Sequence, residues 1–206
     1  MGRVSGAFND WFWIDRDQRA FLTLGVRFAH ETYERLWLES GEEPGYEDGP
    51  DQLDSFEAKI HGLHERDFTW MHAAGILRDA VTSFEVYLEK AREEIMRHQD
   101  RWTPVPNRSP SWGELRSFYN TIDSDIETDE VRGVRDLRHL LTHRRGELRT
   151  EEARERYADG ADPFASVVEL DEATVVRLMA TLGDSVRAID PDVYAHTWGG
   201  RELPSS

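Results

Sequence analysis

Cysteine is absent from this chain of 206 residues. Disulfides, thiolate metal sites and a cysteine nucleophile are therefore excluded. No apolar run approaches the roughly 18 residues that a membrane-spanning helix needs, so we expect no membrane span. Residues 1–9 carry no apolar stretch and predict no signal peptide. Together these absences favour a cytoplasmic protein in a reducing compartment.

Basic residues are scarce as well: 25 Lys and Arg stand against 41 Asp and Glu, for a net charge of −16. Broad electrostatic attraction of nucleic acid is therefore excluded, and any such binding requires a local basic patch. Aromatic residues are plentiful, and each buries a large area, so the chain can form a core. We predict one domain over 1–206, with its core at about 10–190 and a flexible tail over 191–206.

Two long helices are predicted in the first half of the chain. Apolar residues recur at spacings of three and four over 10–40, which is the helical period. They are Phe21, Leu24, Gly25, Phe28, Tyr33, Leu36 and Trp37. Asp10 is the expected N-cap. An acidic Gly/Pro-rich loop over 41–52 precedes a second helix over 53–101, in which Gly62 and Gly75 are candidate points for a kink or a break.

The second half predicts shorter helices. Ser111 and Glu114 have the spacing of a capping box, Gly146 is a stop signal, Asp171 is an N-cap, and Pro191 is expected to end the last helix. The expected elements are a loop over 102–110, a helix through 119, helices over 128–143 and 151–157, and a final helix from 172. No strand alternation is convincing; 166–170 is the nearest candidate. The sequence therefore predicts an all-α bundle of two long antiparallel helices and three or more shorter ones.

The segment 131–149 is a basic island. It holds six arginines against Asp136 and Glu147, a balance of 6 − 2 = +4, so the rest of the chain sums to −20. The arginines are Arg132, Arg135, Arg138, Arg144, Arg145 and Arg149. A helix end rich in arginine is also typical of a solvated surface that complements the helix dipole. Both interpretations stay open on composition alone.

The angular positions on this helix separate its apolar and polar residues. At about 100° per residue, Val134, Leu137, Leu140 and Leu141 fall on one face, which we expect to be buried. His139 and His143 lie four apart on the opposite side. Arg138 is at the flank, about 140° from His143, so the two side chains do not stack on a regular helix. A metal at the histidine pair is disfavoured by the surrounding arginines, and we predict no metal or cofactor.

The segment 137–146 (LRHLLTHRRG) resembles the signature of the HEPN superfamily, in which an arginine is followed after four to six residues by a histidine. Here the gap is four, and His139 directly follows Arg138, as Asn or His often does in that signature. The helix over 73–95, with Glu85 at its middle, resembles the second long helix of the family. The resemblance covers roughly residues 10–190.

The resemblance implies a homodimer in which two motif helices face each other across a shared cleft. Many HEPN proteins are metal-independent endoribonucleases of toxin–antitoxin or antiviral defence systems; others are catalytically inactive modules for dimerisation or partner binding. It implies that Arg138 and His143 are catalytic, and from the chemistry of their side chains we predict that Arg138 clamps phosphate and that His143 transfers protons. The supporting or RNA-binding residues would be His139, Thr142, Arg144, Arg145 and Arg135. Arg145 stands where toxins paired with a nucleotidyltransferase antitoxin carry a modified tyrosine, so that modification is not expected.

Two other groups of side chains could carry chemistry. Histidines and carboxylates of the second helix have helical spacing that can suit a metal, although polar positions on a solvated face are the favoured interpretation. They are His61, His64, His72, Glu57 and Glu65. An aromatic run, Trp11 to Trp13, is expected to pack on the bundle or on a dimer mate, rather than to stack on bases.

Overall fold

The computed structural model describes residues 3–40, 56–99, 108–157 and 166–198. Within these ranges the chain has six helices whose full extent is described, and no strand, which confirms the all-α prediction. They are α1 (Gly6–Leu38), α2 (Glu65–His98), α3 (Trp112–Asn120), α4 (Asp129–Arg144), α5 (Glu151–Tyr157) and α6 (Glu172–Thr197). Residues 56–60 are also helical. None of the described helices is long and apolar enough to cross a membrane.

The first helix begins earlier than predicted. Ser5 is its N-cap, and the Ser5 hydroxyl accepts a hydrogen bond from the Phe8 amide at 3.0 Å. The predicted cap at Asp10 is wrong, because that residue lies inside the helix and its carboxylate pairs with Lys90 of α2 at 2.8 Å. Serine accepts the orphan amides of a first turn as well as aspartate does, so the two candidates were equal by residue type.

The two long helices run antiparallel, as predicted. The start of α1 meets the end of α2 at the Asp10–Lys90 pair. Near the middle, the Gln18 amide donates to the Ser83 hydroxyl at 2.9 Å. The end of α1 meets the start of α2 where His30 lies 3.1 Å from Glu65. This pairing places α2 at the centre of the bundle, where it also packs against α3, α4 and α6.

The second long helix is shorter than the predicted span. His61 and Gly62 have φ angles of 52° and 69°, which belong to the left-handed region and end the helical segment 56–60. Glycine adopts this conformation without a Cβ clash, so the predicted break at Gly62 is confirmed. Gly75 lies inside α2 and does not interrupt it. The predicted loops over 41–52 and most of 102–110 lie outside the described residues.

Several apolar residues whose spacing predicts α1 are exposed, and other residues of the helix are buried against the bundle. Phe21, Leu24 and Phe28 are 61, 62 and 63% exposed, whereas Trp11 and Leu22 are 4% and 0% exposed. The helix therefore carries two apolar faces, and one of them remains on the surface. Spacing predicts the period of a helix but does not say which of two apolar faces meets the core.

Local signals place the starts of the later helices correctly. The Ser111 hydroxyl accepts from the Glu114 amide, and the Glu114 carboxylate accepts from the Ser111 amide at 2.7 Å, which completes the predicted capping box. Asp171 caps α6 by accepting from the Thr174 amide at 2.7 Å. These predictions succeed because capping depends on residues only three positions apart.

The end of α6 was predicted wrongly. Pro191 lies inside the helix, which continues to Thr197. A proline in a helix interior removes one backbone hydrogen bond and costs about 3 kcal/mol. On either side of it, Asp190 and Val193 are buried in the bundle, so tertiary packing holds the last turns in place. The predicted flexible tail thus begins within a helix, and its part over 199–206 lies outside the described residues.

The described ends of the chain meet at the end of α2. The Ser5 amide donates to the Asp190 carboxylate at 3.2 Å, and the Ser5 hydroxyl donates to the same group. The carboxylate of Glu94 accepts from the amides of Gly6 and Ala7. Burial raises the pKa of Asp190, and the hydrogen bonds from Ser5 oppose that rise. At this end of the bundle, the start of α1 is therefore bound by two carboxylates, Asp190 on α6 and Glu94 on α2.

Candidate functional site

Helix α4 carries the basic island and is bounded by clear local signals. The Thr128 hydroxyl accepts from the Val131 amide at 3.3 Å and starts the helix. Arg145 and Gly146 have φ angles of 50° and 78° and end it. At Gly146 a Cβ atom would come within 2.9 Å of the Trp70 ring, so this stop also lets α4 approach α2 closely. The stop predicted at Gly146 is therefore confirmed.

The buried face of α4 is the one that its spacing predicts. Val134, Leu137, Leu140 and Leu141 are all buried, and Val131 extends this face by one turn. Because these side chains pack against α2 and α6, the rotation of α4 about its own axis is fixed. The polar side chains of the helix are consequently held on a defined outer surface.

The two histidines of the motif lie together on that outer surface. His139 and His143 are both exposed, and their ring centroids are 4.4 Å apart with the planes tilted by 48°. Neither ring has a hydrogen-bond or ion-pair partner among the residues that the structure describes. Two accessible imidazoles that are not engaged elsewhere can donate protons to a ligand or accept protons from it.

Arg138 is turned away from this pair. Its guanidinium nitrogen Nη2 lies 3.8 Å from Oε2 of Glu85 on α2, and its side chain is 35% exposed. The Thr142 hydroxyl donates to the Arg138 carbonyl oxygen at 2.8 Å and so is engaged with its own helix. Within one chain the structure therefore brings His139 and His143 together, and it places Arg138 on the neighbouring flank.

Arg135 is held in a structural cluster. Its Nε lies 3.3 Å from Glu85, and its guanidinium stacks on the Trp112 ring at 3.4 Å. Glu127 accepts from Arg116 at 2.6 Å and from the Trp112 indole at 2.7 Å, and it lies 3.8 Å from Arg135. The hydrogen bond from Arg116 is the largest effect that holds the pKa of Glu127 below its usual range. Arg135 thus joins α4 to α2 and α3.

The two arginines at the end of the helix diverge. Arg144 is exposed, and among the described residues its side chain has no ion-pair partner. Arg145, whose backbone is left-handed, lines a cleft on the other side of α4. Of the predicted supporting arginines, Arg144 is the one that lies exposed beside the histidines without an ion-pair partner among the described residues.

Arg145 lines a large cleft among the described parts of the chain. The cleft lies between α2, α4 and α6, has a volume of about 1580 Å³, and has an apolar floor that includes Trp70, Leu137 and Leu178. Its rim mixes arginines with acidic residues such as Asp67 and Glu130. The mixed charge of this rim does not select for an anion.

The other predicted candidates are dispersed. His64 lies 3.8 Å from Glu57, whereas His72 packs against Phe21 of α1 and His61 occupies a left-handed turn. Among the described residues, no group of three or more His, Asp or Glu side chains is arranged to hold a metal ion.

The aromatic run at the start of α1 divides between core and surface. Trp11 is buried and packs against Tyr87, which confirms the expectation that it packs on the bundle. Phe12 and Trp13 are 45% and 47% exposed, and the guanidinium of Arg16 lies over the Trp13 ring at 4.2 Å.

Sequence reasoning missed the partners of the motif arginines. Glu85 marked a helix that resembles one of the HEPN family, but its contacts with Arg135 and Arg138 were not predicted. The two helices are distant in sequence, so no local spacing reports this pairing. The stacking of Arg135 on Trp112 likewise left no signal in the sequence.

Comparison with protein-family models, with curated proteins and with solved structures gives no significant match. The fold and the site described above therefore rest on the residues of this chain.

Proposed function

We propose that this chain is a metal-independent endoribonuclease of the HEPN type, in a toxin–antitoxin or antiviral defence system. One observation carries the proposal: an exposed pair of histidines, His139 and His143, lies on a basic helix of an otherwise strongly acidic protein. Arg138 and Arg144 belong to the same helix. These residues supply a proton-transfer group and cations for phosphate, which RNA cleavage without metal requires.

In the proposed reaction, a base takes the proton of the ribose 2′-hydroxyl, and the 2′ oxygen attacks the adjacent phosphorus. The bond from phosphorus to the 5′ oxygen breaks, and an acid protonates that oxygen. The products are a 2′,3′-cyclic phosphate and a 5′-hydroxyl. His143 performs a proton transfer, His139 assists it, and Arg138 stabilises the charge that develops on the phosphate oxygens.

A homodimer would complete the site. Within one chain, Arg138 contacts Glu85 while the histidine pair lies on the outer surface, so the two halves of the motif do not meet. If two α4 helices face each other across a two-fold axis, Arg138 of one copy can lie near His143 of the other. Each shared cleft would then hold two copies of both residues.

The second candidate is a catalytically inactive HEPN-like module for dimerisation or partner binding. The contact between Glu85 and Arg138 favours it, because the carboxylate offsets the charge that would hold phosphate. The −20 balance outside the basic island also disfavours long RNA. Under this interpretation the acidic surface would bind a basic antitoxin or another defence partner.

Cleavage of RNA in EDTA tests the proposal. We expect wild-type protein to produce ends with 2′,3′-cyclic phosphate, and His143→Ala and Arg138→Ala each to cut about 10²–10⁴-fold more slowly. Arg132→Ala is the matched control, because Arg132 lies on the same helix and is engaged with Asp129 at 2.9 Å. Equal rates for all three variants would contradict the assignment. Absence of cleavage and of growth inhibition on expression would support the inactive module.

A further inference from the structure

We infer that the exposed apolar face of α1 is an interface for a second copy of this chain, separate from the motif helix. This face, the α1 stripe, consists of Ile14, Phe21, Leu24 and Phe28. Their side chains are 39, 61, 62 and 63% exposed. The inference does not depend on the proposed ribonuclease activity, because it concerns a different helix and a different kind of surface.

The α1 stripe is a band along the helix, interrupted between Ile14 and Phe21 by the exposed Asp17, which pairs with Arg16. At about 100° per residue its four members fall within an arc of about 80°, centred about 100° from the buried face of Trp11, Leu22 and Ala29. Ile14, Phe21 and Phe28 are separated by seven residues each, and Leu24 lies between two of them. Apolar residues at this spacing form the contact along which two helices pack in a coiled coil. Over 14 residues the band is about 21 Å long.

On the side of the band that faces α2, Phe21 is held by contacts with His72. The His72 ring lies edge-on to Phe21 with centroids 5.1 Å apart, and Nε2 of His72 lies 3.1 Å from the Phe21 carbonyl oxygen. Phe68 stacks on the same histidine with centroids 6.3 Å apart. Phe21 is therefore held in place at the edge of the stripe before a partner docks.

The charge of the surrounding surface selects the partner. Residues 15–35 contain four arginines and four carboxylates, so the net charge of this segment is zero in a chain of −16. Several of these charges pair within the helix, as Arg19 does with Asp15 and Arg27 with Glu31. A basic partner would be drawn to the acidic surface elsewhere. Two acidic copies repel each other least where the local charge is balanced, and the stripe belongs to such a segment.

The area of the stripe suits the apolar centre of an interface between copies. Aromatic and aliphatic side chains exposed to this extent present roughly 300 Å² of apolar surface in total. Patches of that size on a monomer commonly mark interaction sites. A standard interface takes about 800 Å² from each partner, with a more apolar centre in homodimers. The stripe supplies such a centre, and the paired charges around it supply a polar rim.

The motif helix offers no comparable apolar surface. The exposed residues of α4 are polar, and α1 makes no packing contact with α4. A copy docked on the stripe therefore leaves His139 and His143 accessible. If a second interface also forms at α4, the assembly will be larger than a dimer.

The native mass of the full chain tests the inference. We expect wild-type protein to self-associate with increasing concentration, and Phe21→Ser and Phe28→Ser each to weaken that association by roughly tenfold or more. Phe12→Ser is the matched control: Phe12 is 45% exposed on the same helix and lies about 165° around it from the stripe. A wild-type chain that stays monomeric at about 100 µM, or stripe variants that match the control, would overturn the inference.

Disulfide trapping locates the contact, since the chain has no cysteine of its own. Across a two-fold axis, a residue near the axis meets its own counterpart, and a disulfide forms when the Cα atoms are within about 7 Å. We expect at least one of Phe21→Cys, Leu24→Cys and Phe28→Cys to yield a covalent dimer on mild oxidation, whereas Phe12→Cys remains monomeric. Failure of all three stripe positions would contradict the interface, whatever the outcome of the RNA cleavage assay.

Discussion

Glu85 of α2 lies against Arg138 of α4, with 3.8 Å between Oε2 and Nη2. The other oxygen of the same carboxylate lies 3.3 Å from Nε of Arg135. One acidic residue thus holds two arginines of the motif helix. The contact holds the Arg138 guanidinium close to α2, and the negative charge of Glu85 offsets part of the positive charge of Arg138.

Glu85→Gln is expected to lower the maximal cleavage rate about tenfold without raising KM, because Arg138 loses its positioning partner while a negative charge near the RNA is removed. The loss of stability should be about 1 kcal/mol or less, since the pair is partly exposed. Glu89→Gln, one turn further along α2, is the control. A rate unchanged in both variants would show that Glu85 does not position Arg138.

Asp190 predicts a dependence of stability on pH. Burial raises its pKa in the folded protein above the value of about 3.9 in an unfolded chain. Between these two values the folded state binds more protons at Asp190, so the contribution of Asp190 to the free energy of unfolding should fall as pH rises through the window and level off above it. Urea unfolding of wild type and of Asp190→Asn at a series of pH values isolates this contribution to the slope.

Asp190→Asn should flatten that slope, because the amide oxygen still accepts from Ser5 and no longer ionises. Asp190→Ala should lower stability at neutral pH by about 1–3 kcal/mol, since the buried donors of Ser5 then lack a partner. Asp184→Asn is the control, because Asp184 is exposed and pairs with Arg187 of its own helix. A slope in Asp190→Asn equal to that of wild type would contradict this account.

We expect the effect of Gly25→Ala on stability to change sign when His72 is replaced by alanine. A Cβ atom there would come within 2.1 Å of Nε2 of His72, so Gly25→Ala must displace the ring and should destabilise the protein by about 1–2 kcal/mol. In a His72→Ala background the same change should instead stabilise by about 1 kcal/mol, as alanine favours a helix. Thermal unfolding of the four proteins gives the coupling. Additive effects would show that His72 does not occupy this space.

Interactions between near neighbours were predictable from the sequence, and those between distant helices were not. The capping box of Ser111 and Glu114 and the buried face of α4 depend on residues within one or two turns. The contact of Glu85 with Arg138 depends on how two helices pack, which no spacing reports. Pro191 shows the converse case: a strong local signal to end a helix is outweighed by the packing of Asp190 and Val193.

The hydrogen bonds between Ser5 and Asp190 join residues that are 185 positions apart. On the ribosome they can form only after residue 190 has been synthesised, roughly ten to forty seconds after residue 5 at ordinary rates of translation. The pairing of α1 with α2 can precede them. Until translation has passed residue 190, the first turn of α1 therefore lacks its acceptor on α6.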